Sequence, residues 1–428
     1  MDFQLLPPRH QLTEIMTRVY RQGMTTVSGG NCSVRDPDGG LWITPAGIDK
    51  GRLEPDDIVR VGPDGTIEGR HRPSSEFPFH RQIYEARPDI HALVHAHPPA
   101  MVAFSIARRL PDTRIYPQSR DLVGEVGYAP YALPGSEDLG RSIAQAFGGG
   151  YHAVLLENHG VVVGGSDLLD AFWRFETLEY CAAINIRAQV LGPYRSLTDE
   201  EIRLFVQASH ELPEFMPEAH SADELERRLE ICSFVARAYD RRLMISTGGT
   251  VSARVSDDSF VITPFGHDRR YLEPSDLVLV NDGRAEVGKR PSRAALLHQT
   301  IYRDHPDIGS IMSAQPPHAT TYSISERAFD TRTIPESYIL LRDMPRIPYG
   351  LPYSHPEQVS EALRKETPVL LLQNDSVLST GRTLLEAFDR LEVAEFSAQA
   401  LIETSSIGEL QPITSEELEN LEIKFGLR

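Results

Sequence analysis

The chain has 428 residues, two to three times the ~150 of a common single domain, which excludes one small domain and makes two the first expectation. With 40% hydrophobic and 24% charged residues and a mean hydropathy of -0.29, it can fill complete cores and is excluded from the disordered class. The formal net charge of -18 and pI near 5.3 repel nucleic acid and anionic membrane, leaving small molecules and proteins as partners.

Cys32, Cys181 and Cys232 lie far apart without CxxC spacing, so neither a disulfide framework nor a thiolate zinc site is expected. Met1 to Leu12 lacks the charged start and apolar run of a signal peptide. The longest apolar runs, such as Ala153 to Leu156 and Val161 to Val163, are strand-sized, far short of the ~20 residues a bilayer demands. A cytoplasmic protein is expected.

In chain order, the pattern predicts an opening helix over Gln11 to Gln22, then short strands around Asn31 to Val34 and Leu41 to Thr44. A helix from about Phe77 to Ala86 precedes a strand through Ala92 to Ala96, and Ala153 to Val163 reads as strand, turn, strand. Asp167 to Leu191 has no proline, follows a cap candidate at Ser166 and stops at Gly192-Pro193, the signature of one long helix.

The first half of the chain then reappears in the second. Gly29-Gly30-Asn31-Cys32-Ser33-Val34-Arg35 answers Gly248-Gly249-Thr250-Val251-Ser252-Ala253-Arg254, and Ile43-Thr44-Pro45-Ala46-Gly47 answers Ile262-Thr263-Pro264-Phe265-Gly266. Leu53-Glu54-Pro55, Arg72-Pro73-Ser74 and Pro88-Asp89-Ile90 recur as Leu272-Glu273-Pro274, Arg290-Pro291-Ser292 and Pro306-Asp307-Ile308. Thr198-Asp199-Glu200-Glu201 recurs as Thr414-Ser415-Glu416-Glu417, each a capping-type helix start. Two tandem mixed α/β domains are expected, residues 1–210 and 224–428, joined by a polar linker over 211–223 that contains Pro213, Pro217 and His220.

Val94-His95-Ala96-His97-Pro98 puts two imidazoles at i and i+2 of a strand end, on one face and close enough to share a metal. His159, in Leu156-Glu157-Asn158-His159-Gly160, also follows an apolar strand. Three neutral imidazoles with open positions make a catalytic zinc site, although an HxH pair alone also arises by chance in a chain with 15 histidines. Pro73-Ser74-Ser75-Glu76-Phe77-Pro78 is a turn feeding a helix, whose hydroxyls and free amides form an anion cradle and whose Glu76 can move protons beside a metal. The alternative for Ser-Ser-Glu is a plain helix cap, and for the Ser28-Gly29-Gly30-Asn31 loop a plain turn.

In this order and at these intervals, Gly30-Asn31-Cys32-Ser33, Ile43-Thr44-Pro45-Ala46-Gly47, Ser74-Ser75-Glu76, His95-Ala96-His97 and His159-Gly160 resemble the class II aldolase/adducin family over most of residues 9–205. The resemblance implies three-layer α/β/α domains with a mostly antiparallel central sheet. It implies His95, His97 and His159 as zinc ligands, Glu76 as general acid/base, and Asn31, Gly47, Ser74 and Ser75 as holders of the substrate's anionic end. It also implies a tyrosine from an adjacent subunit as proton donor, and counting back from Ala129-Pro130-Tyr131 gives Tyr116.

Some positions depart from the family pattern. Ala46 stands where the phosphate aldolases of the family carry a hydroxyl, which removes one phosphate hydrogen bond. Lys50 could supply a positive charge instead, but is expected as a solvated surface lysine. Glu76 in place of the epimerases' aspartate favours carbon–carbon bond cleavage, while sugar-acid phosphate decarboxylases of the family also carry glutamate.

Carried through the repeat, Glu76 becomes Ala294, His95 Ser313, His97 Gln315 and His159 Asp375. Such a set is poor for zinc, so one zinc per chain, in the first domain only, is expected, with a degenerate second domain kept for packing or assembly. Family rings place active sites at subunit interfaces, so a homo-oligomer is expected, a dimer imitating a fourfold ring or larger. If working and degenerate domains alternate round that ring, the neighbour brings Ile334, the counterpart of Tyr116, and no phenol arrives.

The function expected is a zinc-dependent aldehyde-lyase acting on a sugar phosphate or related hydroxy-carbonyl compound through a metal-stabilised enediolate. The alternatives are a sugar-acid phosphate decarboxylase or epimerase on the same fold, or a non-catalytic assembly module.

Overall fold

The computed structural model describes residues 3–208 and 212–427. Residues 209–211, where the expected linker begins at Glu211, lie outside them. The chain forms two compact units, Met1–Thr113 with Gln118–Ala183, and Arg114–Pro117 with Ile184–Arg428.

The first unit opens with the helix Pro8–Arg21, starting before the predicted Gln11 because Pro8 fits the first helical position, where no amide bond is needed. Leu12, Ile15, Met16 and Val19 recur with the helical period and are fully buried. Its sheet runs in the order Ile67–Glu68, Val59–Val61, Leu41–Ile43, Asn31–Arg35, Ala92–Ala96, Gly160–Gly165, Ala153–Leu156, Val126–Ala129. The neighbours pair antiparallel except the last two strands, which run parallel, so the sheet is mixed. Leu93, Val154 and Val162 share one cluster with Phe79, Ile83, Ile143 and Phe147 of the helices Phe77–Ala86 and Glu137–Gly148. The long helix spans Leu168–Leu191. At its start Asp170 N–H donates to Asp167 Oδ1 at 2.9 Å, so Asp167 takes a capping role that the sequence assigned to Ser166.

The second unit repeats this strand order: Arg346–Ile347, Val369–Leu372, Ser376–Gly381, Ser310–Ala314, Thr250–Arg254, Ser259–Ile262, Val278–Asn281 and Arg284–Glu286. A ninth strand, Glu214–Phe215, from the expected linker, runs parallel to Arg284–Glu286 at the edge. With a second parallel pair at Arg346–Ile347, this sheet is also mixed. Successive residues of its central strand enter opposite cores, Ile311 joining Leu297, Ile301 and Leu378, and Met312 joining Val235, Phe388 and Leu391.

Among polar groups inside this unit, Arg228 is 4% exposed and bridges Glu224 and Glu286 at 2.7 Å each. Arg228→Met removes the buried cation the two carboxylates share, leaving Glu286 to Lys289 and Glu224 to His220 at the edge, and is expected to cost about 3 kcal/mol of stability, measured by urea unfolding. A loss below ~1 kcal/mol would show that the carboxylates find other partners. Among the described residues no helix is long and apolar enough to cross a membrane, and Cys32, Cys181 and Cys232 are free thiols.

Candidate functional site

Register alone brings the first two pieces together: Asn31 and His95 face each other across an antiparallel pair, and His95 sits opposite Val162 on the other side. The backbones approach closely here. Gly30 has φ +71°, and a Cβ on it would lie 2.7 Å from the His95 carbonyl. A Cβ on Gly160 would lie 2.5 Å from the Ala96 carbonyl and 2.8 Å from His97 Cδ2, so both positions require glycine. His159 follows Asn158, which takes the left-handed conformation at φ +55° and ends the strand pair in a tight turn.

His95, His97 and His159 converge, their ligand atoms all within 4.8 Å of one another and their ring centroids 4.9 to 5.0 Å apart. His95 Nδ1 lies 3.0 Å from the Val161 carbonyl, an acceptor that requires the proton on Nδ1 and turns Nε2 to the cluster. Nε2 of His97 is buried without a hydrogen-bond partner, the condition expected of a metal ligand. Burial, and then the charge of His95, holds His97 down to about 3 and His159 to about 4. Both are therefore neutral at neutral pH and able to ligate. Three imidazoles at this spacing fit a zinc ion with an open coordination position.

Glu76 stands directly before the helix Phe77–Ala86, yet its side chain does not cap that helix. Its carboxylate turns to the cluster instead, Oε2 lying 3.2 Å from His95 Nε2 and Oε1 3.4 Å from His159 Nε2. Burial opposes its ionisation, but the His95 and His159 charges and the Asn31 amide outweigh burial and hold the carboxyl well below its usual range. His95 moves the other way: burial disfavours its charge, and Glu76 more than offsets this and raises it.

Asn31 Nδ2 donates to Glu76 Oε2 at 2.7 Å, which turns Asn31 Oδ1 to His80 Nε2 at 2.5 Å. His80 must then carry its proton on Nε2, and its Nδ1 accepts from Ser33 Oγ at 2.7 Å, which also meets Tyr84 Oη at 2.8 Å. Buried groups thus hold the carboxylate from behind. Sequence reasoning missed His80. The repeat carries the signal, since Ser252, His298 and Tyr302 reproduce the Ser33, His80 and Tyr84 contacts in the second unit. That chain lacks its outer half, where Thr250 and Ala294 replace Asn31 and Glu76.

The residues expected to hold an anion are joined through backbone. Pro45 and Pro73 form an isolated bridge, Ser74 N–H donates to the Thr44 carbonyl at 3.2 Å, and Ser74 Oγ accepts from Glu76 N–H at 3.3 Å. Gly47 and Ser75 are exposed above this bridge, with Gly47 at φ +69° and open space on its side-chain side. Lys50 differs from expectation. It is 1% exposed rather than solvated, and Nζ donates to the Pro45 carbonyl at 2.7 Å, anchoring the loop from beneath.

Tyr116 and the three histidines fall in different units. The tyrosine is 1% exposed and lies in Arg114–Pro117, which groups with the second unit. There the neighbouring Ile115 carbonyl accepts from Asn374 Nδ2 at 2.9 Å, one residue from Asp375, the counterpart of His159. Tyr116 therefore groups with the second copy.

The sequence profile of the Class II Aldolase and Adducin N-terminal domain matches residues 10–186 and 229–402. The chain is 35% identical over 202 residues to 3-oxo-tetronate 4-phosphate decarboxylase of Haemophilus influenzae, covering 46% of this chain and 95% of that protein. It is 32% identical over 198 residues to L-fuculose phosphate aldolase of Escherichia coli, covering 46% and 91%. The solved structure of YgbL from Escherichia coli aligns at 33% identity and TM-score 0.42 over 46% of this chain and 95% of that one.

Proposed function

Since the chain belongs to the class II aldolase and adducin family, we propose that it is a zinc-dependent aldehyde-lyase that cleaves or forms the carbon–carbon bond of a sugar phosphate or related hydroxy-carbonyl compound. The organisation proposed is a catalytic three-layer α/β/α domain over 1–210, a linker over 211–223 and a degenerate domain over 224–428. The observation that carries the reading is the convergence of His95, His97 and His159 with the Glu76 carboxylate within 3.4 Å of two of them.

His95, His97 and His159 would hold one zinc per chain, which when bound supplies a Lewis acid for the substrate's carbonyl oxygen. Glu76 takes the proton from the hydroxyl whose carbon–carbon bond breaks and returns it to the carbon fragment. Asn31 and His80 fix the carboxylate's orientation. The amides and hydroxyls at Gly47, Ser74 and Ser75 receive the anionic end, with Lys50 supporting their loop. A phenol from Tyr116 would have to come from another copy. The protein is proposed as a cytoplasmic homo-oligomer, where free thiols persist.

Decarboxylation of a 3-oxo sugar-acid phosphate is the second reading, favoured by the relative from Haemophilus influenzae. Incubating the zinc-loaded protein with ketose phosphates and with 3-oxo-tetronate 4-phosphate separates the two: aldehyde release supports the lyase, and carbon dioxide release the decarboxylase. If neither product forms, the assembly-module reading stands in their place.

The buried chain behind Glu76 makes its own prediction. His80→Phe and His298→Phe remove equivalent groups from the two copies and are expected to cost similar stability, about 1–3 kcal/mol each. Only His80→Phe should slow turnover, by roughly 10–100-fold with KM little changed. Equal losses of turnover in both variants would reduce His80 to a structural group.

A further inference from the structure

A histidine that gives Nε2 to a metal carries its proton on Nδ1, and that proton needs an acceptor to fix the ring. His95 has one in the Val161 carbonyl at 3.0 Å. For His97 the ring edge that carries Nδ1 faces the loop between the helix Pro8–Arg21 and the strand Asn31–Arg35.

The His97 ring lies between two glycines. On one side a Cβ at Gly160 would stand 2.8 Å from Cδ2, and on the other a Cβ at Gly29 would stand 3.1 Å from Nδ1. The same point beside Gly29 is 2.9 Å from the hydroxyl oxygens of both Thr25 and Thr26. Because glycine leaves that point without a side chain, two hydroxyls and one imidazole nitrogen converge on it. Thr26 is exposed, so water can serve its hydroxyl. Thr25 is 9% exposed and its Oγ1 is buried with no hydrogen-bond partner, an orphaned group of the kind that folded interiors rarely keep.

The second unit separates what the loop needs from what the histidine needs. The loop backbone is kept. Gly29 N–H donates to the Thr26 carbonyl at 3.2 Å and Lys50 N–H to the Val27 carbonyl at 2.8 Å, and likewise Gly248 N–H donates to Ile245 at 2.7 Å and Arg269 N–H to Ser246 at 2.8 Å. The hydroxyls are not kept. Met244 and Ile245, both buried, stand in place of Thr25 and Thr26, and Gln315 stands in place of His97. An apolar pair therefore builds the same loop, and both hydroxyls are absent where the imidazole is absent.

We propose that Thr25 is a positioning residue of the metal centre, its hydroxyl accepting the Nδ1 proton of His97 and so holding Nε2 towards the metal. This role rests on the reading of the three histidines as zinc ligands. The side-chain-free Gly29 leaves room for the hydroxyl and the ring edge to meet once Nε2 is committed to the metal.

Zinc affinity of the full-length chain, read by competition with a chelating dye, tests this role apart from turnover. Thr25→Val keeps the side chain's shape and removes the acceptor, and is expected to weaken binding by about 10–100-fold. Thr25→Ser and Thr26→Val should both stay close to wild type. Urea unfolding of the metal-free chain separates positioning from packing, because a methyl in place of an unpartnered buried hydroxyl costs the fold nothing. Thr25→Val is therefore expected to unfold at a midpoint no lower than wild type. Wild-type affinity in Thr25→Val, an equal loss in Thr25→Ser or Thr26→Val, or a weakened affinity that comes with a lowered metal-free midpoint would each overturn the role of Thr25 alone. A wild-type chain that takes up no zinc would overturn the histidine reading itself, and the role of Thr25 with it.

Discussion

Glu76→Ala is expected to reduce turnover by about 10²–10⁴, the usual contribution of a positioned proton-transfer group, while zinc content stays at the wild-type level. The substitution is mild for the fold, since the second copy carries Ala294 at this position and begins the same helix there. The carboxylate is a neighbour of the imidazoles and does not supply one of the three convergent nitrogens. Its loss should therefore spare the metal. A variant with wild-type turnover would remove Glu76 from the chemistry, and one that loses zinc as well would make it a ligand.

His97→Gln is expected to have the second large effect, on metal affinity. Gln315 occupies this position in the second copy with the strand and the following helix intact, so the fold tolerates the amide. An amide oxygen is a poor ligand for zinc beside imidazole. The loss should exceed the ~10–100-fold that follows removal of a group merely supporting a ligand, read by competition against a chelating dye. Turnover should fall with zinc occupancy. Retained affinity would mean that two histidines and Glu76 suffice, a different coordination from the one proposed.

Much of the site is legible in the sequence, because its parts lie where local chemistry is loud. HxH at a strand end, a glycine-bounded His159 and a Ser-Ser-Glu turn each have short-range signatures, and strand register then places Asn31 opposite His95. The repeat was equally visible, and the two sheets share one strand order. The edge strand Glu214–Phe215 was not, since two residues carry no alternation and the pairing runs through backbone. Lys50 looked like any surface lysine, because burial depends on which loop lies over a side chain, a long-range fact. His80 was overlooked as an ordinary helix residue, although its counterpart His298 survives where the histidine cluster and Glu76 are gone. That survival separates a fold-bearing core from the Asn31 and Glu76 extension built on it.

Tyr116 is expected to act from an adjacent subunit, and within its own chain it belongs to the second unit. The motif count locates the residue, and the structure groups it with the second unit, where the carbonyl of the adjacent Ile115 accepts from Asn374 Nδ2. In the second unit Phe205 lies beneath the Arg293 guanidinium at 3.9 Å and 6.0 Å from the Tyr353 ring. Such packing buries aromatic surface and sets a cation over a ring, which stabilises the unit.

The central claim, one working metal site in the first copy and none in the second, is tested most directly by metal analysis of the full-length chain purified without chelator. About one zinc per chain is the predicted result. Nearly two per chain would contradict the degeneracy of the second copy, and near zero after zinc is added back would contradict the metal site itself.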